Sequence, residues 1–180
     1  MNQVTKLIKK LDNCPVGEKG WSDYEKICTE ILTFLLVPPL DKPHIQPKTY
    51  SRANRRDAVF PNKNFSKSGN WDLFYRELEA SMILCEFKNY DRSKIGHREV
   101  IQTNFYLRRK TFGRLALMIC SKAPSASAHK VRNTIFSEEG KVILFLTKDD
   151  LKEMLLRKQK GEDPSDLLAD LYYKFKLQHE

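Results

Sequence analysis

Apolar residues recur along this chain in two periods, and the switches between them lay out its elements. From Trp21 to Val37, the positions Trp21, Tyr24, Cys28, Ile31, Leu32 and Leu35 fall three or four apart, which predicts one face of a helix. Pro38 and Pro39 end it, because proline lacks an amide hydrogen and disfavours helix in the residue before it. Two stretches suited to extended structure follow, near 45–52 and 56–60. A loop of Asn, Lys, Ser and Gly over 62–70 is expected to be mobile and to face a ligand. Residues 71–80 read as a short helix with Trp71 and Phe74 in the core, and Met82 to Lys88 as a buried strand free of Gly and Pro.

The same reading continues to the C-terminus. It predicts a helix over 97–110, a strand over 114–121, a helix over 125–136, a strand over 141–146 and an amphipathic helix over 148–158. Gly161, Asp163 and Pro164 interrupt before a last helix over 165–177, and residues 1–11 form a weaker first helix. This order predicts an α/β fold: a mixed central sheet flanked by helices. One domain is expected over 1–180, with its core over about 21–155 and a helical extension over about 161–180.

Composition is that of a globular protein, 41% apolar and 31% charged. Cys14, Cys28, Cys85 and Cys120 are widely spaced and show no metal-ligand spacing with the histidines, so they read as buried apolar residues in a reducing cytoplasm. The longest apolar run, Ile31 to Val37, is far short of a membrane span, and no signal-peptide core is present, so no membrane partner is expected.

Charge changes the picture more. The net charge is +9, and it is concentrated. Residues 92–137 hold ten Lys and Arg against one acid, Glu99; residues 42–68 hold seven against one, Asp57. Two basic blocks therefore bracket Glu86 and Lys88, an arrangement suited to a polyanion whose phosphates approach a small acidic centre. A merely solvated basic face is the plainer alternative.

Side chains alternate along a strand, so Glu86 and Lys88 project from one face, about 7 Å apart at the α-carbons. Charges in such a strand are costly unless paired or bound to a metal. With Asp57 they make a minimal set for metal-dependent phosphodiester hydrolysis: two carboxylates for a hard cation, one cation for water and phosphate. A lone Glu-x-Lys reads better as an ion pair at a strand end; for Asp57, pairing with Arg55 or Arg56 is the plainer alternative, and the ordered set favours the catalytic reading.

Arg56-Asp57 opening a strand, Glu86-Phe87-Lys88 closing a later one, and a following helix with Gln102 and Tyr106 resemble the PD-(D/E)XK restriction-endonuclease-like superfamily. The resemblance spans about 21–155. It departs where Arg56 replaces the motif's proline, and where 28 residues separate Asp57 from Glu86, which leaves Asp72 as a rival acid. It implies a restriction-endonuclease-like αβββαβ core. It also implies Mg²⁺, with Mn²⁺ substituting, on Asp57, Glu86 and the Phe87 main-chain carbonyl, with Lys88 positioning the attacking water.

Some relatives draw another acid from the first helix, here Glu25, although Ser22-x-x-Glu25 is also a capping box. Gln102 and Tyr106, four apart on one helical face, are similar to the Gln-x-x-x-Tyr pair of RecB-type branches, which contacts substrate beside the metal. Arg55, Arg98, Arg109, Lys110 and Lys130 are candidate phosphate contacts.

The expected function is a metal-dependent nuclease, DNA favoured, in a restriction or defence setting. The alternatives are a binding or assembly module with the same fold, or one domain of a larger nuclease. Cutting both strands of a duplex commonly needs two centres, so a homodimer would be natural; a partner domain supplying targeting is the other arrangement.

Overall fold

The structure, a computed structural model, describes residues 2–47 and 56–179. Its order is α1 (Gln3–Asn13), α2 (Trp21–Leu36), β1 (His44–Ile45), β2 (Ala58–Pro61), α3 (Gly69–Leu78), β3 (Met82–Lys88), α4 (His97–Tyr106), α5 (Arg109–Phe112), β4 (Leu115–Cys120), α6 (Ala126–Glu139), β5 (Val142–Thr147), α7 (Lys148–Gln159) and α8 (Asp166–Leu177). The strands form one open sheet in the order β1-β2-β3-β4-β5, antiparallel from β1 to β3 and parallel from β3 to β5. The protein is therefore α/β with a mixed sheet, and β3 is its middle strand.

Alternation along the strands divides the core in two. Ala58, Phe60, Ile83 and Cys85 point to one face, which α1, α2, α3, α7 and α8 cover. Val59, Leu84, Ala116 and Met118 point to the other, under α4, α5 and α6. The last helix, expected as an extension, is built into the first of these cores through Leu168, Tyr172 and Phe175. Its Tyr172 hydroxyl also donates to Glu77 at 2.7 Å.

Helix α2 buries the predicted stripe except Trp21, which opens the helix and stays half exposed. The helix expected over 97–110 divides at Leu107, a fully buried residue at φ −79°, ψ 76°, and resumes as α5. Gly113 (φ +82°) then turns the chain into β4, and a Cβ there would stand 2.0 Å from the Glu79 carbonyl oxygen. All four cysteines are buried and free. Among the described residues no helix is long and apolar enough to cross a membrane.

Candidate active site

Strand β3 carries its polar residues past the end of its neighbour. The β2–β3 ladder runs from Pro61↔Met82 to Ala58↔Cys85, so Glu86, Phe87 and Lys88 lie beyond it, still paired to β4. One further step of the register sets Asp57 opposite Glu86. The Lys88 carbonyl accepts from the Ser121 amide at 2.9 Å, which turns the backbone of Glu86 and Lys88 toward β4. Phe87, between them, turns its amide and carbonyl the other way, into the notch left where β2 stops. There its amide donates to Asp57 Oδ2 at 2.8 Å. The notch lies at the C-terminal ends of the parallel strands, the usual ligand position in an open α/β sheet.

Glu86 is only 2% exposed. Its Oε2 accepts from Lys88 Nζ at 3.2 Å, and its Oε1 is buried without a hydrogen-bond partner. Burial and then the Asp57 charge push its pKa up to about 7, against the opposing pull of Lys88 and of the Asp57 backbone amide. Burial alone would lower the Lys88 pKa, but Glu86 and Asp57 together outweigh it and hold that ammonium above its ordinary value. The chain beyond Lys88 is fixed by the Asn89 amide group on the Pro15 carbonyl (2.9 Å) and the Tyr90 amide on Ser121 Oγ (2.8 Å).

Arg56 joins this centre, a role the sequence did not assign it. Its Cζ stands 4.5 Å from the Phe112 ring centroid and 5.7 Å from that of Tyr106, within electrostatic reach of Glu86. Partial burial lowers its pKa, and its Nε has no hydrogen-bond partner. No residue spacing could have shown this, because Phe112 arrives through the break after α4. Gln102 enters indirectly: its Nε2 donates to the Tyr106 hydroxyl at 3.0 Å, and that ring lies under Arg56.

No family model, curated protein or solved structure matches this chain. The site therefore stands on its own geometry.

Other candidates fall elsewhere. Glu25 belongs to α2, on the opposite face of the sheet from the Glu86 side chain, and reaches the Asp57 segment through Gln46. The Gln46 side chain donates to Glu25 at 2.6 Å, while its amide donates to the Asp57 carbonyl at 2.9 Å. The capping-box reading of Glu25 does not hold: the N-cap of α2 is Gly20, with no side-chain cap hydrogen bond. Asp72 is no rival to Asp57, because Asn64 and Arg76 hold its carboxylate. The 62–70 loop leaves the Pro61 end of β2, opposite Met82, so it does not face this centre. Arg55 lies outside the described residues, and Arg109 opens α5. Arg98, Lys110 and Lys130 are exposed on α4, α5 and α6, which all cover the Glu86 face.

Among the described residues no three His, Cys, Asp or Glu side chains converge on one point. A site of two carboxylates and a carbonyl is a sparser set. It fits Mg²⁺, which takes few protein ligands and keeps several waters. The unpartnered Glu86 Oε1 beside Asp57 is the observation that makes the fit, since a buried carboxylate oxygen is costly unless something engages it.

Proposed function

We propose that this chain is a divalent-metal-dependent nuclease with a restriction-endonuclease-like fold, cleaving phosphodiester bonds in DNA. One observation carries the reading: a buried carboxylate, Glu86, with one oxygen that no hydrogen bond engages, held between Asp57 and Lys88 in a notch at the end of the central strand. Asp57, Glu86 and the Phe87 carbonyl would hold the ion, which when bound lowers the pKa of a water and polarises the phosphate.

The chain's own residues do the rest. Lys88, kept charged by the two carboxylates, orients the attacking water and offsets charge developing on the phosphate. Arg56 sets a second cation beside the first, on the side facing α4 and α5. Glu25 acts at one remove, as a positioning residue that steadies the Asp57 segment through Gln46. A restriction or defence setting is what the resemblance to restriction-endonuclease-like nucleases implies for such a chain.

The position of Arg56 favours a second reading. A guanidinium within electrostatic reach of the Glu86–Lys88 pair offsets part of the carboxylate charge without any metal, as a binding or assembly module would need. Cleavage of supercoiled plasmid and single-stranded circular DNA, with Mg²⁺ or Mn²⁺ against EDTA, separates the two. Metal-dependent nicking by the wild type that disappears in Lys88→Met, which keeps the buried stem, supports the nuclease. Salt-sensitive DNA binding without cleavage favours the module, or a nuclease that needs a partner domain or a modified substrate.

A further inference from the structure

Helix α4 turns an unexpected face outward. Ile101 is 52% exposed and Phe105 56%, one turn apart beside the candidate centre. With Arg98, Gln102 and Tyr106 they line an open depression of about 420 Å³. Arg108 lies over the Phe105 ring, its Cζ 4.8 Å from the centroid, and Tyr106 meets that ring edge-on at 6.4 Å. The ring is thereby held in place with much of its surface open. The one acid of this basic stretch is turned away: Glu99 accepts from the Gly96 amide (2.9 Å) and the Tyr90 hydroxyl (3.2 Å). An apolar surface bordered by arginines, with the helix's own carboxylate engaged, suits a ligand that offers flat apolar faces and negative charge together.

Duplex nucleic acid does not, because its bases are stacked on one another and only phosphates and groove edges reach a helix surface. Unpaired bases do: stacking on an exposed aromatic beside cations is how single strands are held without sequence preference. We infer that the exposed face of α4 is a platform for single-stranded nucleic acid, Phe105 and Ile101 taking unpaired bases and Arg98 and Arg108 the adjoining phosphates. This rests on the nuclease reading only for what the strand meets next. Tyr106, at the edge of the depression, lies under Arg56, so a strand on the platform leads to Glu86 and Lys88.

The test is binding in EDTA, where no cleavage contributes. Fluorescence anisotropy is read with a labelled single-stranded oligothymidylate and a duplex of equal length, for wild type, Phe105→Ala and Phe105→Trp. Loss of one stacking contact should weaken single-strand binding roughly 5- to 150-fold in Phe105→Ala. Duplex binding should change less than about twofold, since no stacking contact is lost there. Phe105→Trp should keep the affinity, with its indole emission quenched by the bound strand. Equal weakening on both ligands, unchanged single-strand binding, or no single-strand binding by wild type overturns the platform. So does a dimer that becomes monomeric in Phe105→Ala with single-strand affinity intact, which makes the patch a contact between copies. The nuclease reading falls separately, on the Lys88→Met cleavage test.

Discussion

The carboxylate of Asp57 accepts the amide hydrogen of Phe87 at 2.8 Å, so the free end of β2 is tied to β3 between its two charged side chains. One carboxyl group thus closes the sheet at the point where a cation would bind. Asp57→Ala should therefore destabilise the protein by about 1–3 kcal/mol, because it leaves a part-buried amide unpaired, and on the proposed function it should abolish cleavage. Asp57→Asn keeps an accepting oxygen and removes only the charge. It should unfold in urea within about 1 kcal/mol of wild type and still not cleave. A fully active Asp57→Asn removes Asp57 from the centre.

Glu86 makes stability depend on pH with a definite sign. Its pKa is pushed up to about 7 in the fold, above the ordinary carboxylate value it regains on unfolding. The native state thus holds this proton more tightly. Its contribution is fully present below about pH 4.5 and is lost as pH rises through about 7. Without added metal, wild type should lose on the order of 1–3 kcal/mol relative to Glu86→Gln between pH 4.5 and pH 8. Denaturant midpoints at the two pH values give the difference, and parallel profiles would remove the raised pKa. Mg²⁺ needs the ionised form, so its affinity should rise over the same interval.

On the proposed function, Arg56 should act on cation and polyanion in opposite senses. Arg56→Met keeps apolar contact with Phe112 and Tyr106 but takes a positive charge from beside Glu86. Mg²⁺ binding should tighten a few-fold while single-stranded DNA binding weakens a few-fold. Calorimetry with the metal alone and anisotropy with DNA alone read the two changes. Movement of both in one direction would place the guanidinium outside the centre.

Gly113 tests the fold apart from the chemistry. Its positive φ and the close Glu79 carbonyl leave no room for a side chain, so Gly113→Ala should cost at least about 2 kcal/mol. A melting temperature equal to wild type would contradict this approach of β4 to the end of α3.

The sequence read best where one interaction dominates. Met82–Lys88 is an unbroken apolar run ending in charge, and its bounds agree with β3 to the residue. Pro38 and Pro39 bound α2 for an equally local reason. The break at Leu107 was illegible because no Gly or Pro marks it: burial of that side chain overrides helical periodicity. Arg56 was illegible as a site residue because its neighbours Tyr106 and Phe112 lie some fifty residues away in the chain and meet it only in the fold. Sequence polarity does not place the 62–70 loop, because polarity tells of exposure, not of the end of the sheet at which a loop emerges.

The two faces of the sheet are insulated unequally. Among the described residues, 33 buried apolar side chains form the core beneath α1, α2, α3, α7 and α8, against 14 beneath α4, α5 and α6. Cooperative opening starts where least apolar surface must be exposed, so amide hydrogens of α4 and α5 should exchange before those of α2 or α7. Asp57 and Glu86 thus rest on the better-insulated scaffold, beneath a cover expected to open first; on the proposed function, a strand would be admitted or released without unfolding what holds the carboxylates.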